Sequence, residues 1–263
     1  MGVYAITGGS GGIGLRVIQQ LKKQGHETIN IDWKKGEIEA DLSLPEGRQK
    51  AIDELHELHP EGLDGLILCA GVPGSCHNLR LILSLNFFGS ISIIKGAYDL
   101  LEKKGGSCVA TVSNAISQGD LPMDLADILN NNNEDELRIL DLVSDLDEND
   151  LVTGNRLYVA SKYALARWVR RHSASYAANG VRINAVAPGN VNTSMTATMS
   201  VDEKTALNAL PIPTKYGKET LMEPDEVASV INFLISKAAR GVNGIIMFVD
   251  GGTDALLNSE KVY

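Results

Sequence analysis

The sequence predicts an α/β fold: one doubly wound domain over residues 1–263 with a seven-stranded parallel sheet. Two observations carry this. Short apolar runs alternate with helix-like stretches along the chain, the pattern of a parallel sheet covered by helices on both faces. The first run, Val3–Thr7, opens into Thr7-Gly8-Gly9-Ser10-Gly11-Gly12-Ile13-Gly14 and then an amphipathic stretch from Leu15 to Lys23. A length of 263 residues suits one domain with a large buried core.

Taken in order, Val3–Thr7 is a strand and Gly12–Gln24 a helix. The glycines between them let the backbone turn tightly and approach a phosphate. The helix N-terminus adds free N–H groups and the positive end of its dipole. Thr28–Asp32 is the second strand; it ends in Ile29-Asn30-Ile31-Asp32, about 20 residues on, where a carboxylate accepts ribose hydroxyls. This is a Rossmann arrangement for a dinucleotide. Gly8, Ser10, Gly11, Gly12, Ile13 and Gly14 are candidates for the pyrophosphate, and Asp32 for the adenosine ribose. The Asp32 charge repels a 2′-phosphate and favours NAD. Lys34 and Lys35 offset part of that repulsion, so NADP stays open.

Ile38–Leu42, Gly65–Ala70 and Ser107–Ser113 continue the strands, with Glu46–Leu58 and Leu79–Lys103 as helices between them. Leu157–Ala178 and Pro224–Ser236 are the later helices; Val181–Val186 and Gly244–Asp250 close the sheet. Residues 118–154 read as an acidic helical insertion. Leu121, Leu125, Ile128 and Leu129 recur at helical spacing, as do Leu137, Leu140, Val143 and Leu146, with Asn130–Asn133 as a break. Two short amphipathic helices with acidic outer faces are expected.

Net charge is −9, and Asp120–Asp150 alone carries −10, with eleven acidic residues against Arg138. The remainder is near neutral, and no basic stripe points to nucleic acid. No run of about 18 apolar residues suggests a membrane span. The glycine turn at residue 7 leaves no room for a signal peptide. Three cysteines, Cys69, Cys76 and Cys108, lack metal-like spacing and fit a reduced, cytoplasmic setting. His56 and His59 share a helix face without a third ligand nearby, so no metal site is expected.

Tyr158-Val159-Ala160-Ser161-Lys162 opens the fifth predicted helix. A spacing of four places the phenol and the ammonium on one face. The cation favours phenolate and lowers the tyrosine pKa, so that Tyr158 exchanges a proton with an alcohol or ketone.

These blocks resemble the short-chain dehydrogenase/reductase family along the whole chain. Asp41-Leu42 stands where that family contacts adenine, and Cys69-Ala70-Gly71 where it usually has Asn-Ala-Gly. Asn86, in Asn86-Phe87-Phe88-Gly89, stands where it has a catalytic asparagine supporting the proton relay. Pro188-Gly189 with Val191 and Thr193 matches the segment contacting the nicotinamide carboxamide, and Asp250-Gly251-Gly252 the closing strand. Ile31-Asp32, Ala40-Asp41-Leu42-Ser43, Glu46-Gly47-Arg48, Asp64-Gly65-Leu66, Leu68-Cys69-Ala70-Gly71 and Ala228-Ser229-Val230-Ile231 are similar to its bacterial 3α-hydroxysteroid dehydrogenase/carbonyl reductase branch.

The resemblance implies an NAD-dependent oxidoreductase that moves hydride reversibly between cofactor and a secondary alcohol or ketone, with a 3α-hydroxysteroid or bile acid as substrate. Related dehydrogenases of aromatic alcohols share much of the pattern, so a hydrophobic aromatic alcohol is the alternative. Tyr158 is implied as acid/base, Lys162 as its activator and a ligand of the nicotinamide ribose. The family places a serine at the end of the fifth strand to bind the substrate oxygen. That position counts to Asn114, whose amide can donate in the serine's place. Ser113 would face the other way unless the strand bulges. Loss of that serine opens another reading, an NAD/NADH sensor without turnover. Residues 192–220 are the expected substrate loop, with Met195, Met199, Leu207, Leu210 and Ile212 as apolar lining. Two insertions bearing about −10 each would repel across a shared helix dyad, which favours a homodimer through Pro224–Asp250 over a tetramer.

Overall fold

Successive residues of each central strand face opposite layers, and both layers are apolar. Ala5, Leu66, Leu68, Cys108, Ala110, Ile183 and Ala185 join one core cluster. Tyr4, Ile6, Ile67, Val109 and Val186 join the other. This is the period-2 signature of a parallel sheet buried on both sides. The computed structural model describes residues 1–131, 135–197, 212–213 and 221–262. Its strands are β1 (Val3–Thr7), β2 (Glu27–Asp32), β3 (Ile38–Glu39), β4 (Gly65–Leu68), β5 (Ser107–Thr111), β6 (Arg182–Pro188) and β7 (Ile246–Val249). They form one seven-stranded sheet in the order β3-β2-β1-β4-β5-β6-β7. Every pair is parallel. The order reverses between β1 and β4, which sets the ligand crevice at the carboxyl ends of those strands.

Helices α1 (Gly12–Lys23) and α2 (Pro45–Leu58) follow β1 and β3. The predicted helix Leu79–Lys103 is three helices, α3 (Leu79–Leu83), α4 (Ser90–Gly96) and α5 (Tyr98–Lys104), with a π turn over Ser84–Gly89. The periodicity does not register the extra residue of a π turn. Gly89 sits so near the Leu42 carbonyl that an added Cβ would stand 2.8 Å from it. By length and composition Leu79–Gly96 could cross a membrane, contrary to the sequence expectation, but 67% of it is buried in the protein interior. Its apolar residues Leu79, Ile82, Leu83, Phe87 and Phe88 belong to the sheet-side core.

The insertion holds two short helices, α6 (Met123–Asn131) and α7 (Glu136–Asp141). Ala126, Leu129, Ile139, Leu140 and Val143 are buried, whereas Leu137 is 75% exposed and so departs from the expected stripe. Asn130 and Asn131 belong to α6, so the break comes later than Asn130; Asn132 and Asn133 lie outside the described residues. Helix α8 runs Leu151–Ala178 and starts six residues before the predicted Leu157. Asp150 caps it, accepting from the Val152 and Thr153 amides at 3.0 and 3.3 Å. Tyr158 therefore sits inside the helix, not at its first turn, and residues 151–154 belong to α8. Helices α9 (Ser194–Ala197), α10 (Pro224–Ile235) and α11 (Thr253–Leu257) complete the described chain.

Arg48 of α2, 4% exposed, fixes the insertion to the domain. Its guanidinium donates to the carbonyls of Leu42 (2.8 Å), Ser43 (3.0 Å) and Ser84 (2.9 Å). It also donates to the Glu136 carboxylate of α7 at 2.8 Å. Five donors in a rigid fork suit this multiple use.

Candidate active site

The glycine turn is shaped by close approaches that exclude side chains. Gly8 has φ +69°, and a Cβ there would stand 2.7 Å from the Ala70 nitrogen. A Cβ on Gly14 would stand 2.4 Å from the Gly8 carbonyl oxygen, so α1 lies directly on the turn. Gly11 begins the helix with extended backbone and no side-chain cap, and the first turn of α1 carries no acidic residue. Nothing stands within 4 Å of where a Gly11 Cβ would be. An uncapped helix start beside open space is a cradle for an anion. Ile13 packs against the α1-side core.

Asn30 and Asp32 hold this turn in place. The Gly9 amide donates to Asn30 Oδ1 at 2.9 Å, and the Ser10 amide to Asp32 Oδ2 at 3.1 Å. The Ser10 hydroxyl donates to the Lys34 carbonyl at 3.1 Å and receives Asn30 Nδ2 at 3.0 Å. The sequence reading assigns Asn30 no role. Its signal was a polar residue inside an apolar strand, and it is now 7% exposed and fully engaged. Asp41 accepts from the Ser43 amide (2.9 Å) and hydroxyl (2.6 Å), while the Leu42 side chain is buried.

Beyond β4, Cys69, Ala70 and Gly71 cross the crevice. The Cys69 amide donates to the Thr7 carbonyl at 3.1 Å and the Ala70 amide to Thr7 Oγ1 at 3.2 Å. The Cys69 thiol contacts Thr111 Oγ1 at 3.6 Å, and burial pushes it up to about 11, so it is no thiolate at neutral pH. A Cβ on Gly71 would stand 2.9 Å from Asn86 Oδ1 and 3.3 Å from Lys162 Nζ. That glycine lets the asparagine and the lysine meet at one point. Asn86 lies in the π turn, fully buried. Its amide clamps Val72, accepting from the nitrogen at 2.9 Å and donating to the carbonyl at 3.0 Å. Lys162 donates to the Thr111 carbonyl at the end of β5, 3.1 Å away, a second partner that sequence reasoning missed.

Ser113, not Asn114, is the side chain that acts on the Tyr158 phenol and lowers its pKa. Cys108, Ala110 and Val112 all face the layer that holds α8, so strict alternation would bring Asn114 to Tyr158. The strand stops first. Ser113, with φ −161° and ψ 149°, caps a 3₁₀ turn over Asn114–Ser117 and receives the Ala115 amide at 3.2 Å. Asn114 is 6% exposed, and a Cβ on Gly189 would stand 3.4 Å from its Nδ2.

Lys162 Nζ lies 5.9 Å from the Tyr158 ring centroid. Burial raises the phenol above its ordinary value, with the Ser113 hydrogen bond opposing. The expected lowering by Lys162 is therefore not what dominates. The ammonium is itself pushed down to about 8 by burial, with Cys69 opposing. Folding then costs most where the unfolded lysine is charged, below pH 8, and this cost fades as pH rises toward 10.5, the ordinary lysine value. Wild type is expected to gain on Lys162→Met by up to about 3 kcal/mol between those limits, read by urea unfolding at several pH values. A pH-independent difference would show that the lysine is not held against its charge.

Val191 forms an isolated bridge to Met222, and the Thr193 methyl stands 3.4 Å from where a Gly12 Cβ would be. Of the two expected nicotinamide-side residues, Thr193 thus stands at the glycine turn, while Val191 is buried in the core cluster that holds α1. Within the expected substrate loop, Met195 belongs to α9 and Ile212 is described; Met199, Leu207 and Leu210 lie outside the described residues. No group of three metal-ligating side chains occurs among the described residues.

Residues 2–122 match the family model "short chain dehydrogenase", and residues 132–254 match "Enoyl-(Acyl carrier protein) reductase". The 3-alpha-hydroxysteroid dehydrogenase/carbonyl reductase of Comamonas testosteroni is 34% identical over 98% of both chains. The coniferyl-alcohol dehydrogenase of Pseudomonas sp. is 31% identical over 94% of each. The crystal structure of the 3-alpha-hydroxysteroid dehydrogenase from Pseudomonas sp. B-0831 complexed with NADH superposes with a TM-score of 0.89. It shares 32% identity and covers 99% of this chain and 100% of that one.

Proposed function

The chain belongs to the short-chain dehydrogenase/reductase family, and from that premise we propose that it is an NAD-dependent dehydrogenase of a hydrophobic secondary alcohol, a 3α-hydroxysteroid or bile acid. One observation carries the chemistry: the Ser113 side chain acts on the buried Tyr158 phenol, and Lys162, one helical turn on, holds its ammonium 5.9 Å from the phenol ring. The fit to a dinucleotide rests on the uncapped start of α1, the glycine approaches and Asp32 beside them. NAD, when bound, supplies the hydride acceptor. Gly8, Ser10, Gly11, Gly12, Ile13 and Gly14 would hold its pyrophosphate, and Asp32 its adenosine ribose. Asp41 and Leu42 would flank the adenine; Cys69, Ala70 and Gly71 would line the crevice floor, with Val191 and Thr193 at the nicotinamide end.

Tyr158 takes the alcohol proton during oxidation and returns it during reduction. Ser113 donates to the substrate oxygen while charge develops there. Lys162 stabilises the phenolate and binds the nicotinamide ribose. Asn86 fixes Val72 beside Lys162 and supports proton passage. The relatives' names favour a steroid; the coniferyl-alcohol relative keeps aromatic alcohols as the second reading. A hydroxyl, a phenol and an ammonium gathered at Ser113, Tyr158 and Lys162 speak against a sensor without turnover. Assays of NAD reduction with steroids, bile acids and aromatic alcohols test this. Reduction with a 3α-hydroxysteroid is expected; NAD binding without reduction by any alcohol would overturn the catalytic reading.

Cofactor choice follows from Asp32. NAD is expected to exceed NADP about tenfold or more in kcat/KM, which needs only about 1.4 kcal/mol. Equal use would shift the argument to Lys34 and Lys35.

We further propose a homodimer through Pro224–Asp250. β7 is a sheet edge whose apolar residues Ile246–Val249 are all only partly buried, and Phe233 of α10 is 43% exposed. Such an apolar edge needs cover. Light scattering at moderate salt should give two chains; a tetramer contacting through the insertion would contradict it. The free thiols of Cys69, Cys76 and Cys108 support a reducing, cytoplasmic setting.

A further inference from the structure

The acidic insertion lines an apolar pocket of about 370 Å³, open to solvent on one side, between α6, α7 and the start of α8. Leu125 and Leu129 of α6 form one wall, and Val143 and Leu146 another. The volume falls at the lower end of the range of small-molecule sites. Its polar groups are few: Asp124, Thr153 and Arg156. The nearest Arg156 nitrogen lies 3.9 Å from Asp124 Oδ1, too far for a hydrogen bond, and both side chains are more than half exposed. A hydroxyl between them can accept from Arg156 and donate to Asp124. The surrounding segment carries −10, which repels anions.

We propose that this cavity is a second binding site, for an uncharged apolar molecule bearing one hydroxyl, and that its occupancy changes turnover. Leu83 and Leu157 form part of its lining. Leu83 immediately precedes the π turn that holds Asn86, and Leu157 immediately precedes Tyr158. Helix α7 supplies Ile139 to the lining and Glu136 to Arg48, which in turn holds the Ser84 carbonyl of that π turn. A ligand that shifts α7 or Leu83 therefore moves groups that position the catalytic pair. The second part of the proposal rests on the dehydrogenase reading; the binding part does not.

The probe is 1-adamantanol, a rigid tertiary alcohol with no hydrogen on its carbinol carbon and hence no hydride to lose. Saturation-transfer NMR should show binding with a Kd of about 1 mM or tighter, the strength expected of so small an apolar cage. Leu146→Trp fills the mouth from a position 43% exposed, where added bulk spares the fold. It should weaken binding at least about tenfold, the scale of one lost apolar pocket contact. Leu142→Trp, at a lining position 57% exposed, should act likewise. Saturating probe should alter kcat with the alcohol substrate by twofold or more in wild type and not in Leu146→Trp. No binding to wild type, or equal binding to all three proteins, would overturn the site. A changed subunit number in both variants would assign the mouth to a protein contact instead, which also overturns it. Binding that is lost in the variants but leaves kcat unmoved would overturn the coupling. If no alcohol is turned over, the dehydrogenase reading fails while the NMR comparison still decides the site.

Discussion

Tyr158→Phe is expected to lower kcat at least about a hundredfold, the usual scale for a lost general acid/base, while leaving NAD affinity unchanged. The change removes one oxygen. The ring stays packed against the sheet-side core, where Tyr158 is a partly buried member. Lys162 keeps its bond to the Thr111 carbonyl, because that contact does not involve the phenol. Structure and cofactor binding should therefore survive, and only proton exchange should fail. Stopped-flow reduction of NAD with a 3α-hydroxysteroid, beside NADH binding by fluorescence, separates the two. Near-normal turnover would mean that another group carries the proton.

Ser113→Ala is expected to cost about 10²–10³ in kcat, as for one lost donor to a developing oxyanion. It removes both the partner of Tyr158 and the cap of the 3₁₀ turn over Asn114–Ser117. Ser113→Thr keeps a hydroxyl for both tasks and should recover much of the loss; the unfolding midpoint, not the rescue, reads the capping part. Asn114→Ala should act less on the chemical step, because its amide lies against Gly189 at the end of β6. Its burial makes some loss of stability the main expected effect. A dead Asn114→Ala beside a healthy Ser113→Ala would restore the reading by strict alternation. Steady-state kcat with unfolding midpoints for each variant gives the answer.

That pair of residues shows where sequence reasoning stops. Alternation along β5 was legible through Val112, and the layer each residue faces follows it. The turn that ends the strand depends on the cap that Ser113 makes to the Ala115 amide, a tertiary detail without periodicity. The glycine turn, Asp32 and the Tyr158/Lys162 spacing were legible because few residue types satisfy those backbone and charge demands. Asn86 was placed by resemblance, but the π turn that carries it was not, since one added residue leaves a helical pattern nearly unchanged. Helix α8 starts six residues earlier than the sequence predicts, because its Asp150 cap is one carboxylate among many in the acidic run and carries no distinguishing signal there. The direction of the Tyr158 shift was misjudged for a physical reason: sequence shows a neighbouring cation but not the burial that acts on both groups.

Hydride transfer within this site is the central claim, and a deuterium label follows it directly. A 3α-hydroxysteroid carrying deuterium on its carbinol carbon is incubated with NAD and the protein, and the reduced cofactor is weighed by mass spectrometry. One deuterium per reduced cofactor is expected with wild type, and labelled cofactor forming at least about a hundredfold more slowly with Tyr158→Phe. Unlabelled reduced cofactor from wild type, or equal rates of labelling by both proteins, would contradict hydride transfer governed by Tyr158.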